Sequence, residues 1–316
     1  MNIQSKKFLT YAWGVLLYNL VVILWGAFVR ATGSGAGCGS HWPLCNGQVV
    51  PHEPAIETLI ELSHRLTSGL ALLAVIGLLL WAWRLYPRTQ YPEGHTNGHR
   101  VRRAAAWSLF FIVVEALIGA GLVLFEYVAT NVSMARAYWI AAHLINTFFL
   151  LAALTLTAWW AAGNKPIQWK QPLPLRATLI AAFAGMFILG ASGGITALGD
   201  TLTLTAGIDP ATSPVLTQLI ALRIYHPLLA FAVGGLIWLA TWAIRRYSVV
   251  TARTSQLAQS VLILYGIQLA LGALNVQLKA PVWLQLVHLL FSDGIWILLV
   301  MLAASALAAP SEEGSL

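Results

Sequence analysis

Apolar residues run along this chain in long stretches separated by short polar segments. Eight such runs can be marked, at roughly 11–30, 64–85, 104–126, 138–161, 177–198, 222–244, 257–276 and 282–309. A helix needs about 20 consecutive apolar residues to cross the hydrocarbon core of a bilayer. Each run meets that length, so the pattern predicts an all-α membrane protein with eight transmembrane helices. Together the runs use more than half the chain and leave no room for a separate soluble domain.

Composition agrees. Of 316 residues, 59% are hydrophobic and 9% are Asp, Glu, Lys or Arg, against about 25% charged in soluble domains. Too few charges are present to coat a water-facing surface, which excludes a soluble globular enzyme, a disordered chain and a nucleic-acid-binding domain. The net charge of +7 does not restore nucleic acid as a partner, because the basic residues sit between the runs. Lys6, Lys7, Arg84, Arg88, Arg100, Arg102, Arg103, Lys165, Lys170, Arg176, Arg245, Arg246 and Arg253 all fall on one side of the predicted spans. That side is the cytoplasm by the positive-inside rule, with both termini cytoplasmic. Arg30, Arg65, Arg136, Arg223 and Lys279 remain at the outer ends. Trp81/Trp83, Trp159/Trp160 and Trp238/Trp242 lie near inner ends, as an interfacial belt requires. The first run is longer than the apolar core of a signal peptide and is read as a retained span. A bacterial inner membrane is the simplest location, and an organelle protein without its transit peptide stays open.

The halves resemble each other. The third run reads Glu115-Ala-Leu-Ile-Gly119-Ala and the seventh Gln268-Leu-Ala-Leu-Gly272-Ala. The fourth and eighth carry His143-Leu and His288-Leu in similar surroundings, and Gly26-Ala27 finds a weak echo in Gly190-Ala191. Four spans per half give both halves one orientation, so the chain is expected to form two pseudo-symmetric four-helix bundles, 1–163 and 164–316, related by an axis along the membrane normal.

Of the eight histidines, His41 and His52 fall in the first outer loop and His95 and His99 in a cytoplasmic one. His64, His143, His226 and His288 lie one each on the second, fourth, sixth and eighth runs, near the outer end of each. Intramembrane histidines are costly and mark function by default. A satisfied interhelical hydrogen bond explains one of them; four on alternating helices of a repeat argue for ligation. Haem suits an apolar slot with an imidazole on each face, with His64 facing His143 and His226 facing His288. Zinc would call for further Cys or carboxylate ligands, and a proton relay is the other alternative.

Glu61 and His64 share a helix face one turn apart, which puts the carboxylate at a porphyrin rim, where it can act as a base or stabilise positive charge. A cap or salt-bridge role is the competing reading. The matching place in the sixth run is Arg223, so the two sites are unequal: a substrate site in the first half, an electron-transfer haem in the second. Arg30, Arg65 and Arg223 are candidate partners for haem propionates, with interface anchoring as the alternative. Cys38 and Cys45 lie in the outer loop, on the oxidising side, where a disulfide is expected. It can be a staple or redox-active, and a metal site with His41 is a weaker option.

These residues resemble the haem A synthase family. The resemblance is carried by Gly26-Ala-Phe-Val-Arg30-Ala-Thr-Gly33-Ser-Gly35, Trp42-Pro43-Leu44-Cys45, Glu61-Leu-Ser-His64-Arg65 and the lone histidines of the later runs. It spans all eight runs. It implies a membrane oxidoreductase that oxidises the C8 methyl of haem O, the substrate, to a formyl group, giving haem A for cytochrome oxidase. Carried over, His64 and His143 hold the substrate, His226 and His288 ligate haem b, and Glu61 is catalytic, stabilising a cationic intermediate or activating water. Cys38 and Cys45 match the family's first disulfide. The second cysteine pair of some members is missing from 200–218, which puts a thiol relay in doubt. Glu115, where the repeat has Gln268, is a proton path or a packing feature, with packing favoured. A haem O synthase and cytochrome oxidase assembly factors are the implied partners, and a homo-oligomer is left open. The alternatives are a di-haem b quinol-linked electron carrier and a non-catalytic haem carrier.

Overall fold

The computed structural model describes residues 3–87 and 97–308. Eight helical spans among these residues are long and apolar enough to cross a membrane. The elements are α1 (Ile3–Ala31), α2 (Ile56–Leu85), α3 (Asn97–Leu124), α4 (Met134–Ala161), α5 (Leu173–Asp200), α6 (Pro214–Ala221), α7 (Tyr225–Tyr247), α8 (Ala252–Gln277) and α9 (Val282–Ala306). Large apolar side chains point outward along them, including Leu17 and Val21 on α1, Leu66, Leu70 and Leu73 on α2, and Leu228 and Phe231 on α7. In water such a surface would drive aggregation; in lipid it meets its own kind. The chain is a multi-pass membrane protein.

The helices outrun the apolar stretches. α2 starts at Ile56, so Glu61 and His64 are well inside it rather than at its tip. α3 starts at Asn97 and takes His99, Arg100, Arg102 and Arg103 into its opening turns, where a loop was expected. Polar residues do not stop a helix once its hydrogen-bond ladder is running; they only stop it from entering lipid. Arg88 and His95 lie outside the described residues.

The sixth span, expected over 222–244, is preceded by a further short helix, α6, where outer loop was expected, and a 3-10 turn stands at its expected start. Ser213 caps α6 by accepting the N–H of Leu216, and Pro214 occupies the first turn, where its missing N–H is not needed. A 3-10 turn at Leu222–Ile224 then leads into α7. Pro227 supplies the reason. It cannot donate to the carbonyl of Arg223, and its ring crowds that carbonyl, so the helix tightens one turn upstream. α5 ends differently, continuing through a π turn at Thr201–Thr205.

α1 to α4 pack in sequence, with α4 returning to α1; α5, α7, α8 and α9 do the same, with α9 returning to α5. α4 and α1 also meet α5 and α9 between these two groups. There Trp296 of α9 stacks on Phe148 of α4 with ring centroids 4.6 Å apart, and its Nε1 donates to the Phe148 carbonyl at 2.7 Å. Trp83, Trp238 and Trp242 face outward. Trp159 does not: it is buried, with the Arg253 guanidinium 4.2 Å from its ring centre.

Candidate functional site

Even-numbered spans all begin at the end of the molecule that carries the Cys38–Cys45 loop. His64, His143, His226 and His288 therefore sit at similar depth near that end, each half-buried. Every one of them faces a glycine on the span before it. A Cβ built on Gly26 of α1 would lie 2.8 Å from Cε1 of His64. On Gly193 of α5 it would lie 3.0 Å from Cε1 of His226, and on Gly272 of α8 3.3 Å from Cε1 of His288. Gly119 of α3 gives 4.0 Å to Cε1 of His143. The glycines thus make room for four imidazoles by letting helix backbone come close. The register corrects one sequence expectation. Gly193, not Gly190, is the spatial counterpart of Gly26, while Gly190 packs against Leu144 and Phe148 of α4.

The histidines meet in pairs. The rings of His226 and His288 have centroids 6.5 Å apart. Two imidazoles binding one metal from opposite sides, at metal–nitrogen distances of about 2 Å, put their ring centres about 6 Å apart. His64 and His143 lie within electrostatic range of each other. Among the described residues no group of three or more His, Cys, Asp or Glu side chains is arranged to hold a metal ion. A metal that brings its own equatorial ligands needs only the two imidazoles.

What lies behind each ring differs. Nδ1 of His226 meets the Ser192 hydroxyl at 2.9 Å. Nδ1 of His64 and of His288 is buried without a hydrogen-bond partner among the described residues. Nδ1 of His143 lies 3.3 Å from Oε1 of Glu115, close but off the hydrogen-bonding axis.

Glu61 is buried at 3% exposure. Its Oε2 accepts the backbone N–H of Cys38 at 2.8 Å, and Oε1 accepts from Nε and Nη2 of Arg65, one turn along α2. Arg65 also donates from Nη1 to the carbonyls of His41 (2.7 Å) and Leu44 (2.6 Å). Both carbonyls lie inside the loop closed by the Cys38–Cys45 disulfide. Gly37 lets the loop reach α2, since a Cβ there would collide with the backbone of Glu57 and Thr58; Thr58 Oγ1 then donates to the Gly37 carbonyl at 2.7 Å. Glu61 is therefore a salt-bridge partner and an anchor of the disulfide loop, one turn from His64.

The other two candidate propionate arginines are also engaged by protein groups. Arg30 crosses between the helix groups, donating to the Ala197 carbonyl (2.7 Å), Thr201 Oγ1 (2.8 Å) and Gln285 Oε1 (3.1 Å). Arg223 pairs with Asp200 at 2.5 Å. Sequence reasoning passed over Asp200 and gave Glu115 no partner. For Glu115 the signal was present: it stands four residues before Gly119, hence on the face that Gly119 turns to His143.

The family model described as COX15-CtaA, cytochrome oxidase assembly protein, matches residues 9–300. A protein of Thermus thermophilus named Protoheme IX farnesyltransferase is 50% identical over 302 residues, covering 94% of this chain and 48% of that protein. A Heme A synthase of Halalkalibacterium halodurans is 41% identical over 135 residues, 43% of this chain and 42% of its own. That of Geobacillus kaustophilus is 46% identical over 113 residues, 36% and 33% respectively. The chain spans about half the length of the Thermus relatives it matches.

Proposed function

The chain belongs to the COX15-CtaA family of cytochrome oxidase assembly proteins, and on that footing we propose that it is a haem A synthase, converting the C8 methyl of haem O to a formyl group. The observation that carries the reading is the set of four histidines, each opposite a glycine, with a buried carboxylate one turn from only one of them. In this reading residues 1–163 bind the substrate haem between His64 and His143, and residues 164–316 bind haem b between His226 and His288; the packing of α1 to α4 and of α5, α7, α8 and α9 among themselves supports it. Haem b would supply one-electron redox chemistry. The chain's own residues hold, orient and enclose. The glycine faces seat the four imidazoles against helix backbone, and the surrounding apolar side chains keep water away from the reacting methyl.

In this reading Glu61 is catalytic. Its carboxylate is held by Cys38 N–H and Arg65 at the rim of the substrate position, where a fixed negative group stabilises positive charge as the methyl is oxidised or takes a proton from an attacking water. Arg65 keeps that carboxylate aimed. Arg30 and Arg223 lie at the same end, within the layer where propionates would reach, although both already have protein partners. Orientation follows the lysine and arginine distribution, with both termini cytoplasmic, the disulfide loop on the oxidising side and a bacterial inner membrane as the setting. A haem O synthase upstream and cytochrome oxidase assembly downstream are the proposed partners.

The Thermus relatives raise farnesyl transfer as a second reading. More than half of each lies beyond the match, and we place farnesyl transfer in that part. One experiment separates the readings. The chain is expressed in membranes that make haem O, and in membranes that make only haem B, and the extracted haems are analysed by mass. The synthase reading expects hydroxylated and formyl products in the first and no haem O in the second. Haem O in the second favours farnesyl transfer, and unchanged haem O in the first sinks the synthase reading.

A further inference from the structure

Glu115 has a geometry that its counterpart Gln268 does not share. Its Oε1 lies 3.3 Å from Nδ1 of His143. Thr147 Oγ1 donates to the same oxygen, and Asn146 Nδ2 donates to Oε2 and also to the Phe111 carbonyl of α3. Asn146 and Thr147 follow His143 by one turn on α4. One helix therefore supplies both the imidazole and the two donors that fix the carboxylate against it. In the second half the Gln268 amide donates to the backbone carbonyl of His288 at 2.9 Å, leaving the ring alone. His226 meets only a hydroxyl. Among the described residues, His143 is the one of the four histidines with a carboxylate oxygen within 3.3 Å of Nδ1.

We propose that Glu115 is a positioning residue for His143. A small turn of the ring brings Nδ1–H onto the Glu115 carboxylate, which accepts it as a hydrogen bond, leaves the Nε2 lone pair for iron, and makes His143 the strongest electron donor of the four. This rests on the reading of His143 as a haem ligand. A carboxylate behind a ligating imidazole fixes its tautomer and ring orientation and raises its basicity. A more basic ligand stabilises ferric over ferrous iron. The haem in the first half is accordingly the easier of the two to oxidise, and the Glu115/Gln268 difference is the element that separates them.

Glu115→Gln gives the first half the residue of the second with almost no change in shape. In the full chain carrying both haems, redox titration followed in the visible spectrum should show the first-half potential moved upward and the second-half potential unmoved. Haem should leave the first half about 10-fold more readily, the usual scale for losing such a partner. Thr147→Val removes a competing donor to Oε1, strengthens the carboxylate as acceptor for His143, and should move the same potential downward. Opposite signs in two conservative variants would not follow from structural damage. The proposal is overturned if both variants match wild type, or if both haems shift together. A wild-type preparation with no bis-histidine haem in the first half would sink the ligand reading itself, and this inference with it.

Discussion

Glu61 of α2 accepts the backbone N–H of Cys38 at 2.8 Å, so one hydrogen bond joins the buried carboxylate to the disulfide loop. Two consequences can be measured. Glu61→Gln keeps an acceptor for Cys38 but removes the charge facing Arg65. Conversion of haem O should fall by about 100-fold, the low end of what a positioned acid–base group contributes, while both haems still bind. Retained turnover in this variant removes Glu61 from the chemistry.

The loop is the second consequence. Replacing both Cys38 and Cys45 by Ser frees the segment whose carbonyls, at His41 and Leu44, hold Arg65. Glu61 then loses two of its supports together. Turnover should drop about 10-fold, as expected when a catalytic group is held less well, while the second-half haem spectrum stays as in wild type. Equal damage to both halves would instead mark the disulfide as a general staple.

The glycine-to-histidine contacts predict a selective effect. Gly26→Ala places a methyl 2.8 Å from the His64 ring, and Gly193→Ala places one 3.0 Å from the His226 ring. Both rings must move, since the methyl arrives from rigid backbone. Gly26→Ala should deplete haem in the first half only, and Gly193→Ala in the second only, by about 10-fold in retention on the scale of a disturbed ligand. Haem extraction with separate spectra for each half reads the outcome. Loss of the wrong haem would overturn the pairing of helices with sites.

Arg30 ties α1 to α5 and α9 through three acceptors. Polar contacts between membrane helices are worth about 0.6 kcal/mol each, up to about 1.7. Arg30→Met should therefore cost roughly 2–4 kcal/mol, seen as a lower unfolding midpoint in detergent. Arg30→Lys keeps the charge but not the planar fork, and should fall between. An unchanged midpoint in Arg30→Met would show that Arg30 adds nothing to the hold between the two helix groups.

Much of this architecture can be read from one chain of letters, because lipid imposes a simple rule. Runs such as 177–198 must be helices, since no other open structure satisfies its backbone in hydrocarbon. The four histidines stood out for the same reason. Helix ends were less legible: Ile56 begins α2 well before the apolar run, because the polar residues at 57–63 are compatible with a helix outside lipid. The break before α7 was written in Pro227 but concealed by the apolar letters around it. Partners were the least legible. Arg30 reaches Gln285, 255 residues away, and no local pattern encodes such a contact. Glu115 was the intermediate case: its face could be computed from Gly119, but not the 3.3 Å approach to His143.

Asp293 of α9 gives the last prediction. It is fully buried at 0% exposure, and neither carboxylate oxygen has a hydrogen-bond partner among the described residues. The other carboxylate acting on it is Glu115. A buried polar group without a partner costs about 1–3 kcal/mol. Asp293 takes no part in the four-histidine arrangement, lying more than a turn beyond His288. Removing its unpartnered carboxyl should therefore help the fold. Asp293→Asn is expected to raise the unfolding midpoint in detergent by an amount equivalent to about 1–2 kcal/mol, with both haem spectra preserved. Asp293→Leu should do at least as well, because an apolar side chain of similar size leaves no buried polar atom without a partner. If both variants are destabilised instead, Asp293 has a partner in the membrane-embedded protein that holds its carboxylate in place.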